Sequence, residues 1–314
     1  MWYRRLTAAV LGAAVVGALA APAWAQEAAE LLGQPTPGGI GMQPGASPLQ
    51  HQQAFFHNAI LMPGITAVVL LVMGLLAYVM IRFNKRANPH PARFTHNTTV
   101  EVLWTVGPVL ILMFFAIFSF RLLFAFHDMP TPGLTVKATG YQWYWGYEYA
   151  EQEIPEITSI MLPEDEAKAA GKPYRLGADN PMVVPVNTTV RVLTTGADVI
   201  HAFALPAFGL KMDAIPGRVN EQWFRAERVG TYYGQCSELC GVDHAFMPIE
   251  IRVVTRPEFD AWVGQQRIAA GLPATIQPAA AVTAAPAAAT APAVTPAQPA
   301  AATPGASPAA AAAQ

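Results

Sequence analysis

The run Tyr-Tyr-Gly-Gln-Cys-Ser-Glu-Leu-Cys-Gly-Val-Asp-His-Ala-Phe-Met-Pro occupies positions 232–248. It places two thiols, an imidazole and a thioether between Cys236 and Met247. The stretches on either side favour β-strands, so one loop presents four soft or borderline metal donors. His201 stands among apolar residues in Val-Ile-His-Ala-Phe, where a buried polar group needs a partner. The combination indicates a metal site on a β-rich domain.

Two other uses of these side chains explain less of the pattern. Cys236 and Cys240 are the only cysteines. A disulfide between them would close a short loop, which gains little stability, and would leave His244 and Met247 without a role. Structural zinc would use the Cys and His side chains, but methionine is not among its usual ligands. Copper favours thiolate, thioether and imidazole, and two thiolates in one loop are able to bridge a pair of ions. Such a site suits electron transfer.

Residues 131–271 around this loop alternate short β-favouring runs with Gly, Pro and Asn, a pattern typical of a sandwich or barrel. Helical signals occur at Glu164–Ala170 and Pro257–Gly271. The predicted strands are Leu134–Thr139, Tyr141–Tyr149, Val183–Val186, Thr189–Thr195, Val199–Leu205, Glu221–Arg225, Gly230–Tyr233 and Pro248–Val254.

Two charge-free runs before this domain predict transmembrane helices. Ala59–Ile81 and Val102–Phe120 extend roughly 35 and 28 Å as helices, enough to cross a hydrocarbon core. Four basic residues and no acidic one lie between them: Arg82, Lys85, Arg86 and Arg93. By the positive-inside rule the connecting loop is cytoplasmic, so both the N-terminus and the β-rich domain are expected in the periplasm, attached to the bacterial inner membrane.

The two ends of the chain differ from the rest. Arg4 and Arg5, an apolar run and Ala23-Trp24-Ala25 predict a signal peptide at 1–25, with an uncleaved anchor helix as the alternative. Residues 26–58 are expected to form a periplasmic N-terminal segment, 59–126 the hairpin and 127–271 the β-domain. Residues 272–314 are rich in Ala and Pro and lack charge, which predicts a disordered tail.

The overall composition agrees with a membrane protein and excludes one class of partner. Charged residues make up 13% of the chain, against about 25% in soluble domains, so the lipid bilayer is an expected partner. Lys and Arg number 19 against 21 acids. This balance provides no basic patch dense enough to neutralise phosphates, so no nucleic-acid partner is expected.

Two further motifs point to a particular protein family. They are Tyr-Gln-Trp-Tyr-Trp at 141–145 and Gly-Leu-Lys-Met-Asp-Ala-Ile-Pro-Gly-Arg at 209–218. Together with His201 and the 232–248 loop, they resemble subunit II of haem–copper cytochrome c oxidase from about residue 50 to 265. The resemblance implies a membrane-anchored α plus all-β fold, with a two-helix transmembrane hairpin followed by a cupredoxin-like Greek-key β-barrel. It also implies an oxidoreductase subunit that accepts electrons from cytochrome c and passes them to haem in subunit I. Oxygen reduction and proton pumping then occur outside this chain.

The resemblance implies a binuclear copper centre of the CuA type, and all six ligand positions match: His201, Cys236, Glu238, Cys240, His244 and Met247. Cys236 and Cys240 would bridge both ions. His201 and Met247 would complete one ion, and His244 with the backbone carbonyl of Glu238 the other. The Glu238 carboxylate is expected to reach a magnesium or manganese ion shared with subunit I, or else to be a plain surface acid.

Trp143 matches the family residue through which electrons arrive, although spacing alone places it in a packing stripe with residues 145, 147 and 149. Residues 131–271 contain 17 acids and 12 bases, a net charge of −5 that would attract a basic carrier. The implied docking acids, each alternatively a solvated charge, are Glu148, Glu151, Glu153, Asp179 and Asp198.

Glu101 has two interpretations. Thr98-Thr-Val-Glu101 has capping-box spacing, so the acid has a structural use at a helix start. The resemblance places the mouth of a proton-uptake path, the K-pathway, at this residue.

Two alternatives to electron transfer remain open at the level of the whole protein. One is a copper-free structural or assembly subunit of the quinol-oxidase type. The other is a membrane-tethered copper carrier, which would need exposed and exchangeable ligands.

Overall fold

The computed structural model describes residues 32–90 and 92–275. The predicted signal peptide and nearly all of the predicted disordered tail lie outside these residues. The helices are α1 (Pro48–Phe55), a π-helical turn (Phe56–Leu61), α2 (Met62–Arg82), α3 (Thr98–His127), α4 (Glu164–Ala169) and α5 (Arg256–Ala269).

Two of these helical stretches are long and apolar enough to cross a membrane. The first runs without interruption from Pro48 to Arg82 and begins before the charge-free run Ala59–Ile81. The second, α3, extends past its predicted run at both ends. The hydrophobicity of the sequence locates only the membrane-spanning part of each helix, whereas capping residues determine where the helix begins and ends. Ser47 Oγ, for example, accepts a hydrogen bond from the backbone N–H of Gln50 at 3.1 Å.

The cap of α3 lies one residue before the predicted position. Asn97, not Thr98, is the N-cap residue, and its side chain accepts from the backbone N–H of Val100 at 3.2 Å. The Glu101 carboxylate accepts in return from the N–H of Asn97 at 3.2 Å. Glu101 therefore has the structural use that the sequence indicated, with a different partner.

The β-domain consists of two five-stranded sheets, with strand orders β3-β2-β1-β5-β8 and β4-β10-β9-β6-β7. This arrangement fits the predicted cupredoxin-like fold. Its strands are β1 (Leu134–Tyr141), β2 (Tyr144–Tyr149), β3 (Ile154–Ser159), β4 (Met182–Pro185), β5 (Thr189–Gly196), β6 (His201–Leu205), β7 (Leu210–Ala214), β8 (Asn220–Arg225), β9 (Gly230–Cys236) and β10 (Pro248–Val254).

Sequence patterns located eight strands and missed β3 and β7. Each missed strand is an edge strand of its sheet and has an exposed, polar face, so it lacks a strong apolar signal. The predicted strand Tyr141–Tyr149 is divided, because residues 142 and 143 turn the chain between β1 and β2.

The core lies between the two sheets. Val136, Trp145, Phe203, Phe224 and Ile251 are buried there, each at most 1% exposed. Both sheets are mixed, since β1 pairs in parallel with β5 and β10 with β4.

Strand pairing brings the metal-site segments to one end of the β-domain. β9 ends at Cys236, and the antiparallel β10 begins at Pro248, so the intervening loop caps this strand pair. On the other side of β9, β6 begins at His201, and Phe203 is paired with Cys236. The start of β6 is thereby held beside the loop.

The β-domain is also fixed to the hairpin. Trp223 Nε1–H donates to the Phe126 carbonyl near the end of α3 at 3.0 Å. Ser47 Oγ donates to the Phe208 carbonyl at 2.8 Å. His51 Nε2 lies 2.8 Å from a carboxylate oxygen of Glu227.

Candidate metal centre

Six potential donors converge where β6 meets the 236–247 loop. Ligand atoms of His201, Cys236 and Cys240 lie within 4.8 Å of one another. The two Sγ atoms are 3.9 Å apart, and both cysteines are free thiols. The remaining contacts are 3.3 Å from Cys236 Sγ to the Glu238 carbonyl oxygen, 3.6 Å from Cys240 Sγ to His244 Nδ1, and 3.5 Å from Cys240 Sγ to Met247 Sδ.

The protein largely shields this cluster from solvent. His201, Cys236, Cys240 and Met247 are buried, whereas His244 is half-buried. The backbone N–H of Cys236 donates to the Met247 carbonyl at 3.3 Å, which closes the loop across its base. The fold therefore brings these donors together in one largely buried cluster.

Asp198 fixes the orientation of the His201 ring. Its Oδ1 lies 2.9 Å from Nε2, which leaves Nδ1 facing Cys236 Sγ at 4.0 Å. Burial by itself lowers the pKa of His201, but its contacts with Cys236 and Asp198 outweigh that effect and raise it. Gly140 makes room for the ring, because a Cβ there would come within 2.8 Å of His201 Cδ2. A carboxylate behind a histidine ligand is a common means of setting tautomer and ring orientation.

Trp143 contacts the loop directly. Its Nε1–H donates to the Cys240 carbonyl at 3.1 Å, and Gln142 Nε2 donates to the same oxygen at 3.3 Å. Gly241 permits this approach, because a Cβ there would lie 2.8 Å from Trp143 Cζ2, and its φ of +129° is one that side-chain-bearing residues rarely adopt. The indole therefore contacts the backbone of Cys240, whose side chain is a predicted ligand.

The pKa values of the two thiols are shifted in opposite directions. Burial raises the pKa of Cys236, but hydrogen bonds with His201 and nearby backbone groups outweigh it and lower the pKa to about 6. Burial and the adjacent charge of Cys236 raise the pKa of Cys240 to about 12. Near neutral pH the metal-free cluster thus holds one thiolate and one thiol, and a metal that binds both sulfurs must displace a proton.

The donor set fits copper. Two sulfurs, two imidazole nitrogens, a thioether and a carbonyl oxygen form one buried cluster, and soft sulfur beside imidazole favours copper. Zinc would leave the buried Met247 sulfur without a role. Both cysteines are free thiols in the structure, which disagrees with the alternative of a disulfide between them.

Comparisons with known proteins decide the family. Sequence models of the cytochrome c oxidase subunit II transmembrane domain and periplasmic domain match residues 35–122 and 134–254. Cytochrome c oxidase subunit 2 of Cereibacter sphaeroides is 44% identical over 294 residues, which cover 86% of this chain and 96% of that protein. The chain belongs to the cytochrome c oxidase subunit II family.

Two further relatives of the family are similar. Probable cytochrome c oxidase subunit 2 of Rickettsia felis is 48% identical over 233 residues, 74% of this chain and 73% of that protein. The crystal structure of the periplasmic domain of subunit II from Bradyrhizobium japonicum is 57% identical and covers 45% of this chain and 98% of that one, with a TM-score of 0.42. Family membership confirms the resemblance inferred from sequence and makes the chain part of an oxidase complex with other subunits.

The predicted docking acids all have local partners. Glu148 pairs with Lys137 at 3.1 Å, and Glu153 with Arg267 at 2.7 Å. Glu151 accepts from the backbone N–H of Thr135 at 3.3 Å, and Asp179 from that of Ile160 at 2.7 Å. Asp198 accepts from His201, as described above, and from the N–H of Gln142 at 2.7 Å. Docking by these acids stays a prediction.

Sequence reasoning missed three residues around the site. Gln142 and Gly241 contact the Trp143 region of the site, and Gly140 makes room for His201. Their roles become visible only when the strands are paired, because the contacting residues are distant in sequence. The aromatic stripe was partly correct. Trp145, Tyr147 and Tyr149 are buried in the core, whereas Trp143 precedes β2 and packs at the core's margin.

Proposed function

We propose that this chain is the electron-accepting subunit of its oxidase. It takes single electrons from cytochrome c at a CuA centre and passes them to haem in subunit I, where oxygen reduction is coupled to proton pumping. When bound, copper held by the residues of the candidate metal centre would supply one-electron redox chemistry. The supporting observation is the convergence of two free thiols, two imidazoles and a thioether in one buried cluster.

The chain's own residues have separate tasks in this proposal. Cys236, Cys240, His201, Met247, His244 and the Glu238 carbonyl would together hold the copper ions. Burial of both sulfurs excludes water and limits oxidation of the thiolates. Asp198 holds the His201 ring, so the metal-free and loaded forms need differ little at this side.

Trp143 is proposed as the residue through which electrons reach the centre. It is half-buried, and its indole touches the loop through the Cys240 carbonyl. Nearby, Leu239 and Val242 expose 78% and 84% of their surface, which gives the loop an apolar outer face suited to a partner protein. The acids assigned to docking would attract a basic cytochrome c towards this face.

The Glu238 side chain is exposed on the same loop. We propose that its carboxylate contributes to a magnesium or manganese site shared with subunit I, while its carbonyl faces Cys236. The proposed orientation places the β-domain in the periplasm and the basic loop after α2 in the cytoplasm. Glu101 would then begin α3 on the cytoplasmic side, where a proton path is proposed to start.

Copper content and electron spin resonance of the purified oxidase test this proposal. We expect two coppers assigned to this subunit and the signature of one electron shared between two copper nuclei. Cys236→Ser should abolish that signature while the subunit still inserts and assembles. A matched variant, Ser237→Ala, changes the neighbouring residue and should retain the signature.

Three results would contradict the proposal. A single copper, or zinc retained in preference, would exclude a copper pair. No bound metal would favour the copper-free structural subunit. Rapid loss of copper to a chelator would favour the membrane-tethered carrier, because a delivery site must release its ion. The buried ligands argue for slow release.

A further inference from the structure

Arg121 in α3 is a charged residue that is not part of the candidate metal centre. The charge-free run Val102–Phe120 ends immediately before it. As a helix this run spans roughly 28 Å, close to the thickness of a hydrocarbon core of about 30 Å. Arg121 therefore lies at the level where hydrocarbon gives way to phospholipid headgroups, on the side of the β-domain.

A cavity of about 540 Å³ opens beside Arg121 and His51. Apart from Gln52, its other walls are apolar and include Phe55, Ile60 and Phe118. A second cavity of about 540 Å³ shares Ile60 and continues between α2 and α3 past Gly64 and Phe115. The two cavities adjoin at Ile60 and are named together the interhelical groove, which extends from Arg121 along the space between the two membrane helices.

The π-helical turn Phe56–Leu61 forms one wall of this groove. Phe56 and Ile60 line the first cavity, and Ala59 and Ile60 line the second. A π turn is rare and widens the helix locally, and such turns occur frequently at functional sites. The wall of the groove therefore includes a segment that is not regular α-helix.

Charge distribution at the mouth of the groove favours an anionic group. His51 pairs with Glu227 at 2.8 Å, so the acid at the mouth already has a partner. Among the residues that the structure describes, the Arg121 guanidinium makes no hydrogen bond or ion pair. A cation at headgroup level is positioned to pair with an anion, and lipid phosphate is the anion present at this depth.

We infer that the interhelical groove binds one phospholipid, with its phosphate against Arg121 and an acyl chain along the apolar walls. The dimensions favour lipid over a helix of another subunit. A helix is about 10 Å in diameter, so the two cavities together would hold about two to three of its turns, whereas a spanning helix has more than about five. An acyl chain is thinner and fits between the largely apolar walls of both cavities.

Native mass spectrometry of the intact oxidase after a fixed detergent wash tests the charge contact. Wild-type oxidase should retain one phospholipid that Arg121→Gln loses, with occupancy lower by about tenfold. Arg82→Gln removes a cation at the opposite end of the hairpin and should retain the lipid. Equal retention in wild type and Arg121→Gln would overturn the proposal.

Two further variants test the groove itself. Ala59→Phe adds bulk to the groove without altering Arg121 and should also lose the lipid; unchanged retention would count against the proposed acyl path. A photoreactive phenylalanine analogue at position 118 should form an adduct with the mass of a phospholipid. An adduct with a polypeptide of another subunit would show instead that the groove is a protein interface, which overturns the proposal.

Discussion

Asp198 Oδ1 lies 2.9 Å from Nε2 of His201, so a carboxylate sits directly behind a predicted copper ligand. The sequence assigned Asp198 to partner docking. Burial raises the pKa of this carboxyl, but hydrogen bonds from His201 and from backbone N–H groups outweigh it and hold the pKa below its usual value. The residue is thus charged and oriented towards the site, which gives it a positioning role.

Removal of this carboxylate should weaken copper binding. Asp198→Ala is expected to lower copper affinity by about 10–100-fold, because the His201 ring is no longer oriented. Competition with a chelator measures this, and Asp198→Asn should show a smaller loss. Asp179→Ala is the control, since Asp179 also accepts a backbone N–H but contacts Ile160 instead of a predicted ligand. Unchanged affinity in Asp198→Ala would return the residue to a docking role alone.

Replacement of Trp143 should slow electron arrival without loss of copper. Trp143→Phe removes the N–H that donates to the Cys240 carbonyl and reduces the aromatic area at the loop. Stopped-flow oxidation of reduced cytochrome c should be slower, with unchanged copper content. Trp262→Phe alters a tryptophan on α5 that packs against Tyr149 and should leave the rate unchanged. If Trp143→Phe lost copper in proportion to its rate, the residue would be structural.

The two thiols of metal-free protein should titrate far apart. The ultraviolet absorbance of thiolate should show one ionisation at a pKa of about 6 for Cys236, while Cys240 stays protonated up to about 12. Cys236→Ser should remove the first step, and Cys240→Ser should retain a low-pKa thiol. Two coincident ionisations near the usual cysteine value would contradict the described cluster.

The same pKa values set the sign of a stability change. Between about pH 6 and 9 Cys236 makes the unfolded state bind one more proton than the folded state, because this thiol is ionised only when folded. The Cys236 contribution to the free energy of unfolding should therefore rise with pH in this window, while the raised pKa of His201 contributes a change of the opposite sign just above the ordinary histidine pKa. Between about pH 9 and 12 the Cys240 contribution should fall, since this thiol keeps its proton only in the folded state. Denaturant unfolding of metal-free protein checks this against a double Cys→Ser variant, in which both slopes should diminish.

Cytochrome c oxidation should slow as salt increases, because the β-domain has a net charge of −5 across residues 131–271. Glu151→Gln should reduce both the rate at low salt and its salt dependence. Glu227→Gln removes the same charge beside the hairpin, where Glu227 pairs with His51, and should have a smaller effect. Equal effects of the two variants would indicate general electrostatics without a defined docking site.

Two variants of Glu101 distinguish a helix cap from a proton path. Glu101→Gln keeps an oxygen that accepts from the Asn97 N–H but cannot exchange a proton, whereas Glu101→Ala loses both. A proton-path role predicts slower turnover in both variants. A cap alone predicts normal turnover in Glu101→Gln and a loss of roughly 0.5–2 kcal/mol of stability in Glu101→Ala.

Much of this architecture follows from short-range patterns in the sequence. The charge-free runs locate both apolar helices, and the spacing of Cys236, Cys240, His244 and Met247 predicts a metal loop before any strand is paired. Eight of the ten strands have enough branched or aromatic content to be recognised. These features depend on neighbours within about a dozen residues.

Other features depend on contacts between distant segments. The partnership of Asp198 with Gln142 requires the turn after β1 to meet the segment before β6, 56 residues apart in sequence. Edge strands β3 and β7 become evident only through pairing, because their few apolar residues are too interrupted by polar ones to give a strand pattern. The Trp143 contact likewise spans 97 residues. Such relationships need the tertiary structure.

The hydrogen bond from Trp223 to the Phe126 carbonyl has a consequence for how electrons are delivered. With Ser47 and His51 also bound to the β-domain, the anchor is clamped at several points instead of acting as a loose tether. These contacts hold the β-domain against the ends of the membrane helices. Under the proposed function, a diffusing donor would therefore travel to a stationary receiver, and the domain would not act as a swinging shuttle.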